Sequence, residues 1–85
     1  MHALNNKRVA FCGRLVTEKR KIVIARLEMA GGRCDDRVSS KTNFFVLPLN
    51  TDWAEKPKQL LEAEDLEEQG NLEIISEDAF MALLE

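Results

Sequence analysis

Hydrophobic positions along the chain fall into short continuous runs separated by longer segments in which they recur every three or four residues. Val9-Ala10-Phe11-Cys12 is a β-branched and aromatic run after Lys7-Arg8, closed by Gly13, and it predicts a buried strand. Beyond it, Val23, Leu27 and Ala30 lie at i, i+4 and i+7. That spacing predicts a helix capped by Thr17 and running through Met29, and Gly31-Gly32 stops it. Arg33-Cys34-Asp35 is too short for periodicity to decide and reads as a strand by context. Ser39 to Asn43 is turn-like, and Phe44-Phe45-Val46-Leu47 is a strand closed by Pro48.

Leu49 to Glu55 reads as a loop. Pro57 suits the first position of a second helix, which therefore starts near Lys56, carries Leu60, Ala63 and Leu66 on its apolar stripe and ends at Gly70. Leu72 to Ile75 is a further strand. Ser76 caps a last helix with Glu77 and Asp78 in its first turn, where the helix dipole favours acids. Ile75 and Phe80 take the spacing of a hydrophobic staple, and Phe80 is expected in the core. Strands apolar without alternation, separated by helices, imply an α/β fold with a parallel sheet covered on both faces. No repeat or linker divides residues 1–85, so a single domain is expected, with 1–6 as a flexible N-terminus.

Composition narrows the chemistry. Hydrophobic residues at 45% and charged residues at 32% describe a globular chain and not a disordered one. No apolar run approaches the about 20 residues that span a bilayer, so no membrane partner is expected. The first residues lack the apolar stretch of a secretory signal. The expected compartment is intracellular: cytoplasm or nucleoid in a bacterium, nucleus in a eukaryote. One histidine, His2, leaves no Ser-His-Asp triad, Cys-His pair or His-rich metal site. Cys12 and Cys34 are expected as small, largely buried residues that stay unpaired in a reducing compartment. No phosphate-loop motif or nucleophile elbow is present, and the acidic run Glu62–Glu68 lacks the loop that would order metal ligands. No catalytic residue, cofactor or metal is therefore expected.

The net charge of -3 hides an asymmetry. Through Asn50 ten basic residues face four acidic ones, net +6; from Thr51 two basic residues face eleven acidic ones, net −9. Charged helix faces in water explain part of this. It also allows one surface to meet an anion while another repels it.

Four motifs, in order and near-correctly spaced, resemble a BRCT domain, the small α/β module recurring in DNA-repair and replication proteins. They are Val9-Ala10-Phe11-Cys12-Gly13, Gly31-Gly32, Val38-Ser39-Ser40-Lys41-Thr42-Asn43-Phe44-Phe45-Val46 and Ile74-Ile75-Ser76-Glu77-Asp78-Ala79-Phe80. The likeness is greatest to the subgroup of bacterial NAD-dependent DNA ligases and clamp-loader large subunits. Phe80 stands where many BRCT domains carry Trp. The resemblance implies a three-layer fold with a four-stranded parallel sheet in order 2-1-3-4, the first and third helices on one face and the second on the other. It implies a non-catalytic interaction module whose partner is a DNA-repair or replication protein, with phosphate as a feature of the contact. Two alternatives stand beside it: a reader of 5′-phosphorylated DNA ends, and a non-catalytic domain of a larger DNA ligase or exonuclease.

In BRCT domains that bind phosphate, a Ser or Thr and the following Gly close the first strand, a basic residue sits early in the first helix, and a Lys opens the second. The resemblance places Cys12, Gly13, Arg20 and Lys56 at these positions. The Gly13 N–H, the Arg20 guanidinium and the Lys56 ammonium can then meet one phosphate, while the Cys12 thiol is a weaker donor than a hydroxyl. The segment from Lys56 to Ile74 is longer than the subgroup pattern, so the second helix opens either at Lys56 or towards Glu62. Each residue also has a plain structural role: Gly13 in the turn, Arg20 as one of the charges Lys19-Arg20-Lys21. Ser39 and Thr42 are expected to bond their own turn backbone. Trp53 has two readings, packed on the sheet edge or exposed as a partner anchor.

Overall fold

The computed structural model describes residues 3–13, 15, 18–48 and 56–85. Its elements are β1 (Arg8–Phe11), α1 (Arg20–Met29), β2 (Arg33–Asp35), β3 (Phe44–Leu47), α2 (Lys58–Glu68), β4 (Glu73–Ser76) and α3 (Glu77–Leu84). The strands form one parallel sheet in order β2-β1-β3-β4, as the resemblance implied. Val9 pairs with Cys34 on one side and Phe44 on the other, and Phe44 pairs in turn with Glu73.

Side chains along each strand alternate between two cores, which is why the strands show no polar alternation in sequence. Val9, Phe11 and Val46 pack with Val23 and Leu27 of α1 and Phe80 and Leu84 of α3. Ala10, Cys12 and Phe45 point the other way, onto Leu60 and Ala63 of α2. The sheet thus lies between two helices and one. Phe80 is fully buried, with its ring edge-on to Phe11 at 5.3 Å and 84°. Among the described residues, no helix is long and apolar enough to cross a membrane.

Boundaries depart from the sequence expectations in instructive ways. The first helix begins at Arg20 with Lys19 at its N-cap and no side-chain cap, later than a Thr17 cap requires; Thr17 itself lies outside the described residues. Pro57 is the N-cap of α2 and not its first helical residue, so Lys56 stands just before the helix. Ser76 is at once the last residue of β4 and the cap of α3, its Oγ accepting from the Ala79 N–H at 3.2 Å. Glu77 stands in the first turn of α3, as expected, and is fully buried there.

The largest correction concerns the N-terminus. Residues 1–6 were expected to be flexible, yet residues 3–6 form a turn whose Leu4 is fully buried in the α1/α3 core. The Asn6 N–H donates to the Gly31 carbonyl at 2.9 Å. Gly31 and Gly32 close α1 through a Schellman motif, with Gly31 N–H on Glu28 O and Gly32 N–H on Leu27 O, both at 3.0 Å. Gly31 has φ +88, and a Cβ there would strike the Asn5 side chain. At Gly32 a Cβ would meet Leu27 Cδ1 at 2.5 Å and the Leu4 carbonyl at 3.0 Å. The glycine pair therefore lets the N-terminal turn pass against the helix end. Met1 and His2 lie outside the described residues, as do Trp53 and the rest of the expected loop at 49–55.

Candidate functional site

Of the four residues singled out from the sequence, Cys12 is the most fully committed to the fold. Its N–H donates to the Val46 carbonyl at 2.9 Å, and its side chain is buried in the α2-side core. Burial pushes its thiol pKa up, so the neutral form is favoured. Gly13 follows with φ +65, a left-handed turn at an exposed position where an added Cβ would meet nothing. It lies at the carboxyl end of β1, and among the described residues its N–H has no hydrogen-bond partner.

Arg20 is the first residue of α1, and its guanidinium lies 5.6 Å from the centroid of the Phe11 ring. It also lies beside Cys34. Burial raises the Cys34 thiol pKa, and the charge and hydrogen bond of Arg20 act against that rise without cancelling it. Lys56 precedes α2, and its Nζ pairs with Glu64 Oε2 at 2.8 Å. Arg20 therefore belongs to the α1/α3 side of the sheet and Lys56 to the α2 side, each exposed and held by its own neighbour. Of the two placements considered for the second helix, the one opening beside Lys56 holds.

The two cysteines are free and face opposite sides of the sheet, Cys12 towards α2 and Cys34 towards α1 and α3. A bridge between them is excluded on that ground. Their environments set an order of reactivity. Under native conditions near pH 8, iodoacetamide labels half-buried Cys34 before Cys12, and both more slowly than the unfolded chain. Time-resolved mass spectrometry reads this directly; prompt labelling of Cys12 would contradict the packing.

Ser39 and Thr42 bond their own turn, as expected. The Lys41 N–H donates to Ser39 Oγ at 3.2 Å, and the Ser39 N–H to Thr42 Oγ1 at 3.1 Å. Thr42 has a second task that its spacing did not reveal: its hydroxyl donates to Asp35 Oδ2 at 2.8 Å. The other oxygen of Asp35 accepts from Arg8, at 2.9 Å from Nε and 2.8 Å from the guanidinium end. Asp35 and Thr42 are buried, so this charged link fastens β1, β2 and the turn before β3 from within.

Sequence reading also missed the outer surface of α1. Met29 is 88% exposed and Ile22 40%, and Met29 borders an open groove of about 250 Å³ with Arg26, Ala30 and Leu84. Ile22, Arg26 and Met29 recur at i, i+4 and i+7, a second stripe beside the buried Val23–Leu27 stripe, and that periodicity was the available signal. Among the described residues, no group of three or more His, Cys, Asp or Glu side chains is placed to hold a metal ion.

A parallel sheet in order 2-1-3-4, with two helices on one face and one on the other, defines the architectural class. The profile of the BRCA1 C Terminus (BRCT) domain matches residues 1–84, and the chain belongs to this family. Among solved structures it is similar to the C-terminal BRCT domain of human XRCC1, with a TM-score of 0.66 and 16% sequence identity. That likeness covers 95% of this chain and 77% of the other. A comparison with curated protein sequences finds no match. BRCT domains are typically protein-interaction modules of DNA repair and are generally non-catalytic.

Proposed function

We propose that this domain is a non-catalytic interaction module of DNA repair or replication that works inside the cell and binds a protein partner carrying phosphate. The observation that carries this reading is the family match across nearly the whole chain. The exposed α1 stripe supports it, because large apolar side chains left in water on one helix face mark interaction surfaces. Arg26 within that stripe and Lys19 and Lys21 beside it favour an acidic partner. On this reading the domain is of the bacterial ligase and clamp-loader kind, which its motifs most resemble. As part of a larger ligase or exonuclease it would supply contacts and leave the chemistry elsewhere.

The second reading, a grip on the 5′-phosphate of a DNA end through Gly13, Arg20 and Lys56, is favoured by the Gly13 N–H, which has no partner among the described residues. Lys56 would leave Glu64 and Arg20 would swing from Phe11. Exposed pairs of these kinds are worth only about 0–1 kcal/mol each, so both cations can be released; starting from opposite faces of the sheet, they would have to meet over its carboxyl edge at Gly13. One titration separates the readings: phosphopeptides and phosphorylated or dephosphorylated duplex ends, followed by the NMR shift of the Gly13 amide. Phosphopeptide binding that Arg20→Ala weakens by about 1–3 kcal/mol, with a shallow salt slope, is the expected result. Tight, steeply salt-dependent binding to phosphorylated ends and none to peptides overturns the first reading. Equal affinity for both kinds of end eliminates the second.

A further inference from the structure

Among the described residues three large apolar side chains stand exposed: Ile22 and Met29 on α1, and Leu61 on α2. Ile22, Ala25, Arg26 and Met29 recur at i, i+3, i+4 and i+7, so they share one face of α1. The small, exposed Ala25 between the larger two lets another helix come close. By the same spacing Leu61 shares its face of α2 with Glu64, Asp65 and Glu68. The two helices differ in charge. From Glu18 to Met29 four basic residues face two acidic ones, net +2; from Lys56 to Glu68 two basic residues face five acidic ones, net −3.

We propose that the exposed face of α1 docks on the exposed α2 face of a second copy of this chain, setting Leu61 against Ile22 and Met29 and the acids of α2 against the basic residues of α1. Two observations select that occupant. Opposite charges meet only in this pairing, since α1 on α1 or α2 on α2 would set like charges together. The same contact covers all three apolar side chains that a single copy leaves in water. The pairs Arg26–Glu18 at 3.6 Å and Lys56–Glu64 at 2.8 Å are solvent-exposed and yield at little cost. α1 and α2 cover opposite faces of the sheet, so two copies make one such contact at a time and keep a free face at either end, where further copies can add. One helix-on-helix contact is small, so the association is weak and grows with concentration. The proposal rests on the reading of α1 as an interaction surface and not on the phosphate contact.

Sedimentation of the whole chain over a range of concentrations tests it. The wild type associates, and added salt weakens the association. Ile22→Glu puts an acid in the first turn of α1, four residues before Arg26, and Leu61→Lys puts a base before Glu64 and Asp65, so both changes suit their helices. Each alone weakens association at least about tenfold. Mixing the two restores a pair of one copy each, because the Leu61→Lys chain keeps its α1 face and the Ile22→Glu chain its α2 face. A mixture that stays monomeric overturns the proposal. Undiminished association of Leu61→Lys alone overturns it as well, since α1 must then meet α1. Should circular dichroism show either variant unfolded, Ile22→Gln and Leu61→Gln carry the same expectations. A wild type that stays monomeric at NMR concentrations yet binds phosphopeptide ends this contact and leaves the phosphate reading standing.

Discussion

Phe80→Ala lowers the free energy of unfolding by about 3–5 kcal/mol, the range for deleting a buried aromatic ring. Phe80 is fully buried, meets Phe11 edge to face, and with Leu84 joins α3 to a core that also draws on Leu4, β1, β3 and α1. A domain of this size holds only about 5–15 kcal/mol in total, so the loss moves the urea midpoint far towards zero. Phe80→Leu keeps most of the volume and costs less. A loss below about 1 kcal/mol for the alanine variant would mean that α3 is not an integral part of the core.

Arg8→Met leaves the Asp35 carboxylate buried with the Thr42 hydroxyl but without its cation. Breaking a fully buried ion pair costs about 3–5 kcal/mol; the Arg8 side chain is 39% exposed against 6% for Asp35, so water shares in the pair and about 1–3 kcal/mol is expected. Adding Asp35→Asn removes the orphaned charge while keeping an oxygen for Thr42, so the double variant is no less stable than Arg8→Met alone. Chemical denaturation of the four chains of this cycle supplies the comparison. Losses that simply add would show that the carboxylate charge is not what makes the single change costly.

How much of this was legible in the sequence depended on whether the signal was local. β3 lies where the run Phe44–Leu47 placed it, because a parallel strand covered on both sides advertises itself by unbroken apolarity, whereas β2, at Arg33-Cys34-Asp35, was legible only from its context. The start of α1 was misplaced because a capping residue type was sought and the helix opens on Lys19 without a side-chain cap. The end of β4 slipped by one residue because Ser76 serves both strand and helix. Strand order came only from the resemblance, since periodicity carries no information about which strands are neighbours. The link between Arg8, Asp35 and Thr42 was invisible because partners 27 residues apart in one case meet only through strand pairing. For the candidate site, Gly13 was legible as a turn glycine. The partners of Arg20 and Lys56 were not, because Phe11, Cys34 and Glu64 reach them through folding.

The buried Leu4 bears on where this domain can be cut. The first recognisable motif starts at Val9, and a fragment trimmed to that point would lose Arg8 but keep the rest of every strand. It would nevertheless lack the plug that seals the lower end of the α1/α3 layer and the amide of Asn6 that engages the helix terminus. A fusion or tag joined directly at Lys7 would therefore yield a folded outline with a leaking floor, and a working fragment must keep the residues upstream.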